Sequence, residues 1–427
     1  MPGNYLREQY AAEPETRIYP SATGGRTINK ILMGTWAGVV QDDGGDRVRV
    51  VTAGRNGWID RNQLRDSCGF KLFFIDVGQG DGMLVEVPGR RLLVDGGPNS
   101  NMYRYLRGYQ YRYLLGDNDP VHIDTVLISH FDADHYAGIT SVLRDENFTF
   151  GNIFHNGIAR FHNREANRPA GHNTDLGRMS DGVLRTTFND MDDARDLLNT
   201  GGLQTTFRRF LEAAIDAHDN NRLGAMRRLT VRNDFVPGYN TNSDLTIEVL
   251  GPVPRRESGA IDWPWFSNSS HTRNGHSLVL RFSYSEDGSW GKSFMLGGDL
   301  NTEAEHYLMA HYGQANPFEV DVAKSCHHGS ADFTVDFMKL LKPYATVISS
   351  GDNESHAHPR ADAVGCAGKY SRGTRPKVYS TELARSINSS GDILYGMINC
   401  RSDGERIIMA QMKERRTGAD IWDSYEL

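Results

Sequence analysis

Between residues 13 and 65 the chain alternates short β-forming runs with Gly- and Asp-rich breaks. Residues 17–19, 28–33, 36–41, 47–52 and 57–60 read as strands. Gly24-Gly25, Asp42-Asp43-Gly44-Gly45 and Gly54-Arg55-Asn56-Gly57 separate them, and such residues supply the turn conformations that hairpins need. From Phe70 the runs lengthen. Residues 71–76, 82–87 and 91–95 predict three strands, residues 101–115 a helix, and residues 125–129 an apolar strand ending at His130; a further helix is expected from near Tyr136. The stretch 151–241 mixes helical patterns (192–198, 207–217) with polar loops and reads as an insertion capping the rest. Strands resume at 245–250, 277–282, 293–296, 320–324 and 345–349, and 378–380, 393–399 and 406–411 close the chain. This order predicts an α/β fold, a mixed sheet covered by helices, behind a small all-β unit. The expected division is 1–67 and 68–427, with the insertion at about 151–241.

At 427 residues the chain exceeds one ordinary core, which agrees with two units. Its formal net charge of −7 excludes a polycation that grips nucleic acid indiscriminately; any such contact needs a local basic patch or bound metal ions. Cys68, Cys326, Cys366 and Cys400 form no CxxC pair, so reduced thiols and a cytoplasmic location are expected. Arg7 and Glu8 stand where a signal peptide needs an apolar run, and no run reaches the ~18 apolar residues of a membrane span. One surface run interleaves tyrosine and arginine: Tyr103, Arg104, Tyr105, Arg107, Tyr109, Tyr111, Arg112 and Tyr113. On one helix, Tyr105, Tyr109 and Tyr113 would share a face that either packs or stacks bases.

The chemistry concentrates in Ser129-His130-Phe131-Asp132-Ala133-Asp134-His135. Four ligand-type side chains follow an apolar strand at a spacing that lets His130 and Asp132 face one cation and Asp134 and His135 another. Gly298-Asp299, Cys326-His327-His328-Gly329-Ser330 and His356-Ala357-His358-Pro359 each follow a predicted strand. Ligand-type residues thus recur at successive strand ends. Asp76, Asp81 and Asp95 lie on neighbouring strand ends, where carboxylates either orient ligand histidines or shape turns.

Taken in order, Phe74-Ile75-Asp76-Val77-Gly78-Gln79-Gly80-Asp81, Leu93-Val94-Asp95-Gly96-Gly97 and His130 to His135 resemble the metallo-β-lactamase domain of ComEC-type competence proteins. Asn274-Gly275-His276-Ser277, Gly298-Asp299, His327-His328-Gly329-Ser330 and His358-Pro359 continue the series. The resemblance implies an αββα sandwich and two divalent ions, zinc or manganese, held by His130, Asp132, Asp134, His135, Asp299 and the His327-His328 pair. It implies that Asp134 orients the nucleophile and that His358, as ligand or proton donor, or the free member of the His327-His328 pair, protonates the leaving group. Gln79, Asn274, Ser277 and His356 would contact substrate or orient ligands. Asp132 stands where metallo-β-lactamases carry histidine, which shifts that half towards oxygen-preferring ions. The third metal-binding motif is not a clean histidine either: Asn274 and Ser277 fit the ComEC pattern and His276 falls at a variable place between them, which implies that one ion is under-coordinated by protein.

The ComEC resemblance further implies a phosphodiesterase acting on DNA or a nucleotide. Hydrolysis of another ester or lactam, and a ligand-sensing regulatory role, are the alternatives. Gly57-Trp58-Ile59, followed by polar residues and Leu64, resembles the closing strand of bacterial SH3-like domains. That implies a small barrel that docks on its neighbour or engages a protein partner.

Overall fold

The computed structural model describes residues 5–427 apart from 117–118, 256–260, 287, 289–290, 352–354 and 382–396. The first residues of the strand expected over 393–399 therefore lie outside the described residues, and the described strand is Ile398–Ser402.

Two sheets face one another. One has nine strands, in the spatial order Leu223–Arg228, Phe148–His155, Val121–Leu127, Arg90–Gly96, Gly82–Val87, Phe70–Phe74, Ile398–Ser402, Ile407–Thr417 and Asp420–Glu426. The other has six: Leu245–Gly251, Val279–Tyr284, Lys292–Leu296, Val322–Lys324, Ala345–Ile348 and Lys377–Ser380. Each strand puts alternate side chains on opposite faces. Phe70, Leu72 and Phe74 of one sheet thereby meet Phe282, Phe294 and Leu296 of the other in a shared inner core. On the outer face of the nine-stranded sheet, the helices Ala133–Leu143 and Thr205–Asp219 bury Tyr136, Ile139, Phe207 and Phe210. On the outer face of the six-stranded sheet, Thr302–Tyr312 and Val335–Leu341 bury Leu308 and Phe337. The layers are α, β, β, α, as the motif order implied. The central strand Gly82–Val87 is buried along its whole length, Glu86 included.

Two expectations need correction. Residues 151–241 are not only a cap: Phe148–His155 and Leu223–Arg228 pair in parallel within the nine-stranded sheet, and Met191–Thr200 and Thr205–Asp219 pack on its outer face. The polar loops between them hid this, because a parallel edge strand needs a partner remote in sequence. Nor is 101–115 one helix. It is Asn101–Tyr105, a wider π-type turn at Leu106–Gln110, and Arg112–Gly116. Tyr105 and Tyr109 still stack, their ring centroids 5.6 Å apart, while Tyr113 lies in the separate last helix and is exposed. Tyr105 is buried, with its hydroxyl on Gln110 Oε1 at 3.1 Å, and Tyr111 donates to Glu86 Oε1 at 2.8 Å. Arg107 pairs with Asp145. Packing accounts for Tyr105 and Tyr111, whereas Arg104, Arg107, Tyr109, Arg112 and Tyr113 are exposed.

The N-terminal residues form a sheet ordered Gly57–Asp60, Arg47–Thr52, Trp36–Gln41, Arg7–Ala11 and Leu64–Arg65, beside the hairpin Glu15–Ile18 with Asn29–Leu32. Ala37, Val39, Val48, Val50 and Ile59 give it a core of its own. It is tied to the larger unit by polar contacts: Arg401 Nη1 donates to the Met33 carbonyl at 2.7 Å, Arg406 Nη2 to that of Ala12 at 2.9 Å, and Trp422 Nε1 to that of Lys30 at 3.2 Å.

Candidate metal centre

The strand Val121–Leu127 ends just before Ser129-His130, and Asp132 occupies the N-cap position of the helix Ala133–Leu143 with extended backbone (φ −92°, ψ 143°). His130 and Asp132 thus leave from a loop, while Asp134 and His135 belong to the first helical turn. The helix sits close against the strands. A Cβ at Gly138 would lie 1.9 Å from the Gly96 carbonyl oxygen, and one at Gly80 would lie 2.2 Å from that of Asp134. Asp81 N–H donates to the same Asp134 carbonyl at 3.1 Å, so the Gly78 to Gly82 turn and the helix start are locked together.

From the opposite sheet, Asp299 follows Lys292–Leu296, and His327 and His328 follow Val322–Lys324. Both histidines take left-handed backbone conformations (φ 48° and 54°), a strained arrangement of the sort that clusters at functional sites. It turns the two rings apart: His328 is buried and faces the cluster, while His327 stays at the rim with 26% of its side chain exposed.

Asp81, His135, Asp299 and His328 each place one ligand atom within 4.8 Å of all the others. His135 Nε2 lies 3.2 Å from Asp299 Oδ1. His328 Nε2 lies 3.3 Å from Asp299 Oδ2 and 3.4 Å from Asp134 Oδ2. These atoms are buried, yet His135 Nε2, His328 Nε2, Asp299 Oδ1 and both Asp81 oxygens form no hydrogen bond of proper geometry. Buried polar atoms normally find partners, and facing lone pairs at this spacing suit a shared cation. The imidazoles are turned for it. His135 Nδ1 donates to Asp95 Oδ2 at 2.8 Å and His328 Nδ1 to the Ser349 carbonyl at 3.0 Å, leaving each Nε2 lone pair on the cluster. Lys324 is buried, pairs with Asp81 and donates to the Gly298 carbonyl at 3.0 Å. It offsets Asp81 and leaves Asp134, His135, His328 and Asp299 as a mixed oxygen and nitrogen set, which fits zinc or manganese.

The charges are mutually enforced. Burial alone would neutralise Asp299, yet His135, His328 and His327 hold its carboxyl well below the usual range. Burial likewise opposes charge on His135, but Asp299 and Asp95 raise its pKa well above the ordinary value. His328 is raised in the same way by Asp299 and Asp134. On His327 burial wins and the pKa falls.

The remaining expected residues divide clearly. His130 is buried, with Nδ1 3.1 Å from Ser129 Oγ and 3.2 Å from Ser277 Oγ. Asp132 is engaged by Arg273 Nε at 2.5 Å and Arg160 Nη1 at 3.3 Å. Gln79 bridges two loops: its Nε2 is 3.2 Å from His358 Nδ1, and its Oε1 accepts from Gly351 N–H at 3.1 Å. His358 lies at the rim, its ring 5.8 Å from that of His327. His356 is exposed and stacks on His358. Asp76 serves a turn, its Oδ1 accepting from Gly78 N–H at 3.1 Å. His276 is no ligand candidate: its ring stacks on Phe266, its Nε2 bonds the Pro264 carbonyl at 2.7 Å, and burial lowers its pKa to about 4. Sequence reasoning missed Lys324, Arg160, Arg273 and Asp175. A lysine directly before Ser325-Cys326-His327-His328 inside an apolar strand was the one available signal.

The metallo-beta-lactamase superfamily model matches residues 75–153, and with the layered architecture it gives the chain a metallo-β-lactamase fold. ComE operon protein 3 of Bacillus subtilis (strain 168) is 25% identical over 298 residues, covering 67% of this chain and 29% of that protein. The match therefore spans less than a third of that relative's length. Among solved structures, the metallo-beta-lactamase fold protein YhfI from Bacillus subtilis is 12% identical, with 73% of this chain and 96% of that one covered and a TM-score of 0.35. The short form of human tRNase Z (ELAC1) is also 12% identical, covering 64% and 91%, with a TM-score of 0.30. No helix among the described residues is long and apolar enough to cross a membrane.

Proposed function

We propose that this protein is a metal-dependent phosphodiesterase acting on nucleic acid or a nucleotide, DNA being the leading candidate. The observation that carries the metal dependence is the set of buried ligand atoms on His135, Asp299 and His328 that face one another without hydrogen bonds, with Asp134 Oδ2 3.4 Å from His328 Nε2 beside them. The ordered likeness to the ComEC-type domain directs the reading towards a phosphodiester. Those four side chains would hold a divalent ion, which would supply Lewis-acid activation of a water nucleophile and of the phosphoryl oxygen. The protein's own groups do the rest. Asp299 spans His135 and His328 and keeps both Nε2 atoms on one centre. Asp134, a third exposed, accepts a hydrogen bond from the attacking water and orients it. His358, steadied by Gln79, is available at the rim to protonate the departing oxygen. The N-terminal sheet is read as an SH3-like docking module, supported by its contacts to Arg401, Arg406 and Trp422.

A substrate panel tests this reading: bis-p-nitrophenyl phosphate, single- and double-stranded DNA, and a chromogenic lactam, each with added zinc or manganese. Diester and DNA turnover are expected, with His135→Ala and Asp134→Ala losing orders of magnitude in rate. Lactam turnover without diester turnover would refute it.

A further inference from the structure

The ligand spacing in His130 to His135 led to an expectation of two ions, but the half of the site around Asp132 is built differently from the half around Asp299. Asp132 Oδ1 lies 2.5 Å from Arg273 Nε and 3.3 Å from Arg160 Nη1. Its Oδ2 accepts from the Asn274 amide at 3.2 Å when the nitrogen of that amide faces the acceptors. Both guanidinium groups also approach one further carboxylate: Asp175 Oδ2 is 3.7 Å from Arg160 Nη2 and 3.9 Å from Arg273 Nη1. Two carboxylates and two guanidinium groups, none with more than 20% of its side chain exposed, make a quartet with no net charge.

That quartet is a poor neighbour for a divalent cation. Asp132 lies at ion-pair distance from two guanidinium groups, so much of its charge is already offset. Arg160 and Arg273 stand fixed beside the place where one would bind, and low-dielectric surroundings strengthen their repulsion. Asn274 contributes an amide, which in that same orientation donates to Asp132. His130 Nε2, 3.8 Å from Asp132 Oδ2, makes no hydrogen bond, and neither does Nδ1 of His327 at the rim. The other half offers two imidazoles and two carboxylates.

We infer that this chain holds one divalent ion, at Asp134, His135, His328 and Asp299, and that the Asp132–Arg160–Asp175–Arg273 quartet takes the place of a second. The inference rests on the metal-binding reading above but not on the identity of the substrate. Arg160 and Arg273 come from segments outside the ligand motifs, Arg160 following the strand Phe148–His155 and Arg273 lying in the helix Ser269–Gly275. The fixed cations are thus delivered by the tertiary structure.

The test is ion stoichiometry. The full-length chain is stripped with chelator, titrated with manganese, desalted, and assayed by elemental analysis and electron paramagnetic resonance. One ion per chain is expected, with the six-line spectrum of an isolated Mn(II). Asp132→Asn should leave ion affinity within about threefold of wild type, whereas Asp134→Asn should weaken it by tenfold or more. The double variant Arg160→Met with Arg273→Met should take up a second ion and show exchange coupling. Two ions with a coupled spectrum in wild-type protein would overturn the inference, and this measurement decides even if the double variant does not fold. A folded double variant that still binds one ion would overturn the role given to the arginines. No ion in any protein would overturn the metal reading itself, and this inference with it.

Discussion

Replacing Asp95 by Asn tests how ligand orientation is built into the fold. Asp95 is fully buried and makes three contacts: Oδ1 accepts from Ser129 N–H at 2.8 Å, and Oδ2 accepts from Ser129 Oγ at 2.7 Å and from His135 Nδ1 at 2.8 Å. Its backbone is left-handed (φ 56°), a conformation asparagine tolerates well, so the substitution adds little strain. The amide oxygen is expected to keep the Ser129 N–H, which turns the amide nitrogen towards His135. An N–H facing Nδ1 favours the tautomer protonated on Nε2, and that proton occupies the lone pair aimed at Asp299. Loss of a carboxylate behind a ligand histidine typically weakens metal affinity 10- to 100-fold, about 1.4–2.7 kcal/mol. The assay is competition between stripped protein and a chromogenic chelator, with nitrogen-15 NMR of the imidazoles reporting the tautomer. Unchanged affinity, with His135 still protonated on Nδ1, would show that Asp95 does not orient this ligand.

Ion binding should weaken as pH falls, because the carboxylates that raise the pKa of His135 and His328 well above the ordinary value hold protons the ion must displace; a chelator titration at several pH values that shows no such slope would refute it. By the same shifts, the stability these two histidines contribute to the stripped protein is full below about pH 6.5 and is lost as pH rises through their folded values, which unfolding curves on stripped protein will report. Glu305 should behave as a buried acid: burial raises its pKa from 4.5 to about 8 while it accepts from Thr334 N–H at 2.5 Å. The stability from its neutral form is complete below about pH 4.5 and lost as pH rises through about 8, a difference of up to about 5 kcal/mol. Glu305→Gln should therefore be more stable than wild type at pH 9 and similar at pH 4.5, and a constant gap in denaturant midpoints would contradict this. Arg401→Met removes donors from the Met33 carbonyl and Thr35 Oγ1 and should cost about 1–3 kcal/mol. Limited proteolysis should then cut first between the N-terminal sheet and Phe70, and unaltered cleavage would show that this contact does not hold the units together.

Much of this protein is legible in the chain alone. The strands Trp36–Gln41, Arg47–Thr52, Gly57–Asp60 and Gly82–Val87 keep the bounds read from sequence, because runs of β-forming residues between turn residues are a local property. The concentration of His130, Asp132, Asp134 and His135 after an apolar strand is local too, and so are the later histidines at strand ends. What the local pattern does not contain is which charge meets which. Asp81 was read as orienting ligand histidines or shaping a turn; folding places it within ligand distance of His135, Asp299 and His328, and beside Lys324, some 240 positions later, which offsets its charge. Asp132 has the spacing of an ion ligand, yet Arg160 and Arg273 reach it from a loop and a helix that only the packing of two sheets brings together. Leu223–Arg228 found its place for the same reason, since a parallel edge strand is defined by its neighbour. Hydrophobic period and residue type determined the elements and the stock of ligands. The distances between side chains far apart in sequence determined which of those ligands remain free for a cation, because ion pairing depends on separation and burial that folding alone sets.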